Sequence, residues 1–181
     1  MSHILLPPVP DLDGHIVVDP GAACGLLAFG RGRTLVVWSN RWLKRPEEAL
    51  ALRQAAVAVD PHTLWIEDTY VGRNVAGSLR VGFNSGVLTG LLLADTPRLN
   101  IRHMAASVWQ SWVWRQWKHT LPPEQRRRMT REARAALAER QAREQLERWD
   151  VPAKDAEWIL SKADLISAIC MAAWVLMEGT E

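Results

Sequence analysis

The chain has 181 residues and a net charge of +2, with 22 Lys and Arg against 20 Asp and Glu; this length suits one domain with a substantial core, and so even a balance names no partner. Cys24 and Cys170 lie far apart without CxxC spacing, which argues against a structural zinc site and for buried free thiols in a reducing compartment. Residues 1–10 hold three prolines and no basic region, so no secretion signal is expected, and no uninterrupted apolar stretch has the length to span a bilayer. The expectation is a soluble domain of the cytoplasm, bacterial or of a phage-infected host.

In chain order, residues 1–14 read as a loose arm. Ile16–Asp19 is a short β-branched strand ended at once by Pro20-Gly21, which leaves the Asp19 carboxylate at the strand exit. Gly25–Phe29 and Thr34–Ser39 follow as strands, with Gly30-Arg31-Gly32-Arg33 as the turn between them. Pro46-Glu47-Glu48 opens a helix to about Val59, with proline in the first turn and acids complementing the dipole. Thr63–Glu67 is a fourth strand and, like the first, finishes on an acid. Arg73 to Ala94 is a long apolar helix in which Ser78, Gly82, Gly86 and Gly90 recur every fourth position. Glycine in a helix costs about 1 kcal/mol against alanine, so close backbone approach is expected there. Packing on the chain's own sheet is the favoured reading, and a second subunit the alternative.

Arg98–Arg102 is a fifth strand, and Met104 to Trp117 is rich in tryptophan. A charged helix is expected from Glu124 to Trp149, and after Pro152 a last helix from Lys162 to Met177. Three strands in a meander, then alternating helix and strand, then helices, predict a single α/β domain over 1–181: a mixed sheet covered by helices, with residues 115–150 as a basic helical segment within it.

Three acids stand out. Asp19 and Glu67 end apolar strands, and Asp164 lies in the first turn of the last helix. Carboxylates that converge without a basic partner repel unless a cation separates them, and hard oxygen ligands favour Mg²⁺ or Mn²⁺ over zinc. Each has a plainer reading: Asp19 as a turn former, and Asp164 as part of a Ser161-x-x-Asp164 capping box. Glu67 has no propensity reason to end so apolar a strand. From Arg115 to Arg148, ten Lys or Arg stand against five Glu, with Arg126-Arg127-Arg128 consecutive. Interleaved with tryptophan, they suit phosphate contacts and base stacking; the plain reading is a solvated helix face with Glu–Arg pairs. Most of the ten tryptophans, notably Trp38, Trp65 and Trp174, read as core. There is no GxxxxGK[ST], GxSxG, HExxH or paired-histidine motif, which argues against a P-loop nucleotide site.

Three segments resemble the RuvC family of Holliday-junction resolvases, within the RNase H-like superfamily. Val17-Val18-Asp19-Pro20-Gly21 is similar to its first-strand motif. The stretch from Glu67-Asp68-Thr69-Tyr70 through Arg73-Asn74 and Ser78-Leu79 to Gly82 is similar to its glutamate, aromatic, basic-Asn, Ser-Leu and Gly pattern. Ala163-Asp164-Leu165-Ile166-Ser167-Ala168-Ile169 is similar to its C-terminal helix. The resemblance implies an RNase H-like five-stranded mixed sheet flanked by helices, a homodimer, and Mg²⁺-dependent cleavage of DNA at four-way junctions for recombination or repair. It implies Asp19, Glu67 and Asp164 as catalytic metal ligands holding two Mg²⁺, or Mn²⁺ as a substitute. It further implies Tyr70 as an aromatic inserted at the junction, with Arg73 and Asn74 on DNA. Arg80, Lys118, Arg126, Arg127 and Arg128 join these as expected DNA contacts.

The family commonly has an acid or histidine three residues before its last aspartate; Ser161 stands there, one helical turn away, and is expected to act only through a metal-bound water. The segment 109–149 is longer and more basic than the usual connection. Two-metal hydrolysis, with Asp19 bridging ions about 4 Å apart, would leave 5′-phosphate and 3′-hydroxyl ends in paired symmetric nicks. The alternatives are a flap or fork nuclease of the same fold and a non-catalytic branched-DNA binder. An actin-like ATPase needs a second Gly turn and a longer chain, so no nucleotide cofactor is expected.

Overall fold

A computed structural model describes residues 2–20, 23–40, 45–68, 75–127 and 130–179; at 46, 75–78, 80 and 81 it describes the backbone alone. Six strands form one mixed sheet: β1 (Ser2–Leu6), β2 (His15–Asp19), β3 (Cys24–Gly30), β4 (Arg33–Ser39), β5 (Thr63–Asp68) and β6 (Asn100–Ala105). Their order across the sheet is β1-β4-β3-β2-β5-β6. β2, β3 and β4 form an antiparallel meander, and β5 and β6 add in parallel beyond β2. The five strands expected from sequence are all present, in the mixed α/β arrangement expected of an RNase H-like fold.

The sixth strand is a difference. The arm read as loose contains β1, paired antiparallel with β4 from Ser2↔Trp38 to Leu6↔Thr34. Its prolines begin only at Pro7, after the last paired residue, and an edge position needs hydrogen bonds on one side alone.

Among the described residues there are seven α-helices: α1 (Pro46–Val57), α2 (Val75–Leu93), α3 (Ala106–Trp117), α4 (Pro123–Arg126), α5 (Arg131–Arg148), α6 (Ala153–Leu160) and α7 (Ala163–Glu178). Strand alternation sends Ile16, Val18, Leu26, Leu64 and Ile66 to one face, where Leu52 and Ala56 of α1 and Leu88 and Leu92 of α2 cover them. Val17, Leu27, Phe29, Trp65 and Met104 face the other way, onto α3, α5 and α7. Both cysteines are free and buried, as expected.

Three helix expectations need correction. The charged helix does not run unbroken from Glu124 to Trp149: α4 stops at Arg126, and Thr130 starts α5 by accepting from the Ala133 amide at 3.1 Å. A competing N-cap inside a helical sequence restarts the helix. The stretch after Pro152 holds α6, whose axis bends by 109° into α7. Of the stripe on α2, Gly82, Gly86 and Gly90 do not pack on the chain's own sheet, and the side chain of Ser78 lies outside the described residues. Added Cβ atoms at Gly86 and Gly90 would meet nothing within 4 Å, and Gly82 is exposed on the same face. Leu88 and Leu92, two residues further on and so about 200° round the helix, take the sheet contact instead.

Candidate active site

Pairing register brings the acids together. β2 and β5 run parallel with Val18 opposite Ile66, so Asp19 and Glu67, one step further, lie side by side at the C-terminal ends of neighbouring strands. Because Val18 and Ile66 face α1 and α2, alternation turns Asp19 and Glu67 towards α3 and α7. Asp68 falls on the opposite face, where its carboxylate pairs with His103 Nδ1 at 2.8 Å, so it is no fourth member. Asn84 of α2 donates to the Pro20 carbonyl at 3.3 Å, tying down the chain just past Asp19.

Asp164 arrives on α7. On β3, Gly25 is the register partner of Asp19 and occupies the same face. A Cβ at Gly25 would lie 2.5 Å from the Asp164 carbonyl carbon and oxygen, so only a glycine admits the first turn of α7 this close to the sheet. The three acids are half-buried. Burial, above all, raises the Glu67 carboxyl above its ordinary range, and the charge of Asp164 adds to this; hydrogen bonds from Trp109 and with Asp19 oppose it. The Cys24 thiol behind them is pushed up by its own burial and then by Asp19 and Asp164.

Two indoles serve the acids. Trp109 Nε1 donates to Glu67 Oε1 at 3.0 Å, and Trp38 Nε1 donates to Asp164 Oδ2 at 3.4 Å. Lys162 places its ammonium 4.7 Å from the centre of the Trp38 ring, which brings a cation beside the cluster. Sequence reasoning took Trp38 as core and gave Trp109 no role here. A donor-only N–H on an apolar body carries no sequence mark that separates the two uses. Trp65 and Trp174 are core, packed edge to face.

Ser161 is not one turn before Asp164 on the same helix. It closes α6, its hydroxyl donates to the Trp158 carbonyl at 2.7 Å, and α7 begins only at Ala163. The capping box is absent too, since Lys162 holds the cap position without a side-chain bond. Tyr70, Arg73, Asn74 and Arg128 lie outside the described residues, as does the side chain of Arg80. Lys118 and Arg127 are exposed; Arg126 is exposed and donates to the Leu121 carbonyl at 2.6 Å. Further along the basic segment, Arg143–Glu139 and Arg148–Glu144 form ion pairs one turn apart, and Arg140 stacks on Trp117, as a solvated helix face would.

The donor set, three carboxylates at one end of the sheet, is that of a hard divalent cation. Among the described residues, no three His, Cys, Asp or Glu side chains stand close enough together to share one ion. Asp19 and Glu67 are hydrogen-bonded to each other, while the Asp164 carboxylate accepts from Trp38.

No family model and no curated protein matches the chain. Among solved structures, it is similar to T. thermophilus RuvC in complex with Holliday junction substrate. The identity is 12%, over 91% of this chain and 95% of that one, with a TM-score of 0.49.

Proposed function

We propose that this chain is a divalent-metal-dependent, structure-selective DNA endonuclease that resolves four-way junctions by paired symmetric nicks, leaving 5′-phosphate and 3′-hydroxyl ends. The observation that carries the reading is the placement of Asp19, Glu67 and Asp164 on one face at one end of the sheet, on the three segments whose motifs resemble a junction resolvase. Asp19, Glu67 and Asp164 would hold Mg²⁺, which when bound supplies an activated water and charge stabilisation at the leaving oxygen. The chain's own residues hold the parts. Trp109 and Trp38 orient two of the carboxylates, and Lys162 adds positive charge for a phosphate beside Asp164. Lys118, Arg126 and Arg127 extend the phosphate contacts and predict a steep loss of affinity with salt. The exposed face of α2 would join two copies, so that two acid clusters address opposing strands. Such an enzyme would act in recombination or repair in the cytoplasm.

The test is cleavage of a labelled four-way junction with and without Mg²⁺, beside linear duplex and flap controls. Paired nicks that require metal are expected, and Asp19→Asn or Glu67→Gln should abolish cutting while binding persists. Cutting by either variant would show that the acid cluster is not the site. Preference for the flap would make the chain a flap nuclease. The spread of the acids beyond one ion's reach favours a second reading, a non-catalytic branched-DNA binder, and tight binding without nicks in Mg²⁺ or Mn²⁺ would establish it.

A further inference from the structure

A cavity of about 410 Å³ opens beside the acids, between α3, α5 and the first turns of α7. Its walls are aromatic (Trp109, Trp114) and aliphatic (Val113, Ile166), and its rim carries two exposed guanidinium groups, Arg131 and Arg134. Trp109 belongs to both places: its N–H donates to Glu67 while its ring walls the cavity. On the other side Ala163, which also lines it, precedes Asp164 in the chain. A strand whose phosphate lay at the acids would therefore carry its next nucleotides past the cavity mouth. Arg134 reaches Gln110 Oε1 at 3.5 Å, and among the described residues no carboxylate lies within 4 Å of either guanidinium. An apolar, aromatic slot with a cationic rim matches a planar ring flanked by phosphates, rather than an uncharged or cationic side chain.

We propose that this cavity receives one unpaired nucleobase of the strand held at the acid cluster, with Arg131 and Arg134 on the adjoining phosphates. This deepens the nuclease reading and rests on it. Taking a base out of a paired, stacked duplex costs a few kcal/mol, and much less where pairing is already broken. The cavity therefore accounts for selection of branched over linear DNA. Gln110 and Ser167, the uncharged polar residues of the lining, are placed to hydrogen-bond a base edge and so to prefer one base at one position.

Two measurements decide it, both of affinity in Ca²⁺ so that the DNA stays intact. The first uses the wild-type protein and four-way junctions carrying a single abasic nucleotide, moved one position at a time across the branch point. One position is expected to weaken binding about ten-fold, about 1.4 kcal/mol, within the range for one stacked base. The second uses Ala135→Trp, which fills the cavity from an exposed position on α5. It should weaken the intact junction about as much and show no further loss with the abasic nucleotide at that same position. Abasic junctions that all bind the wild type within two-fold of the intact one would overturn the inference, while metal-dependent cutting would leave the nuclease standing. A wild-type protein that binds the intact junction no better than linear duplex would end both readings. Should Ala135→Trp fail to fold, the wild-type series alone decides.

Discussion

At the scale of single residues, the chain uses tryptophan where it needs a hydrogen-bond donor inside an apolar wall. Trp38 and Trp109 fill core while their N–H groups hold Asp164 and Glu67. Trp65 does the same for His15, donating to Nδ1 at 3.2 Å, which requires that nitrogen to be unprotonated. Burial first, then the neighbouring His62 and Arg102, lowers the His15 pKa. The folded state therefore prefers neutral His15. Its contribution to stability is complete above the unfolded value, about 6.5, and is lost as pH falls through the lower folded value. Melting temperature should accordingly drop between pH 7 and pH 5 more steeply in the wild type than in His15→Gln. Glutamine can still accept the indole proton but does not titrate. Parallel curves for the two proteins would remove His15 from the account.

At the scale of elements, the site depends on how closely one helix approaches one strand. The first turn of α7 rests on the bare Cα of Gly25, directly across β3 from Asp19. Gly25→Ala would drive a Cβ into the Asp164 backbone, which cannot rotate out of the way as a side chain can. The expected cost is about 1–3 kcal/mol, read as a lower melting temperature together with weakened metal-dependent cutting. Gly32→Ala, in the turn between β3 and β4 and facing open space, should change stability by no more than about 0.5 kcal/mol. Equal losses at the two positions would contradict this packing. The turn at Gly32 was legible in the sequence, whereas Gly25 read as an ordinary strand residue and its contact with α7 was not. Five of the six strands and the starts of α1, α4 and α7 were legible to within a residue or so, because alternation, proline and the apolar runs state them locally, whereas the edge strand β1 reads as a loose arm. The break between α4 and α5 went unread because Thr130 carries no mark along the sequence that separates an N-cap from a solvent-facing helix residue, and the separate α6 went unread because Pro152 reads as the end of one helix and not also as the start of the next.

At the scale of the molecule, α2 presents an uncovered face. Leu79 and Phe83 are 69% and 66% exposed, on the same side as Gly82, Gly86 and Gly90. Apolar side chains beside a smooth glycine groove are the features of a helix that receives another helix closely. If this face joins two copies, Phe83→Asp should convert a dimer to a monomer in sedimentation, leave the melting curve of the monomer nearly unchanged, and turn paired nicks into single ones. A wild-type protein that sediments as a monomer at micromolar concentration would remove this role.

By itself the sequence determined five of the six strands and their order along the chain, the two-faced α/β architecture, and the three acids as candidates, since periodicity and strand-ending carboxylates are local properties of the chain. Only the tertiary structure decided what those acids touch. Register placed Asp19 beside Glu67, and a missing Cβ at Gly25 let the backbone of Asp164 approach the same end of the sheet. The bend between α6 and α7 removed Ser161 from the helix of Asp164. Two tryptophans became hydrogen-bond donors to the site, and a glycine stripe turned outwards. These are contacts between residues far apart in the chain, fixed by packing and pairing register, and spacing along the sequence contains no measure of either.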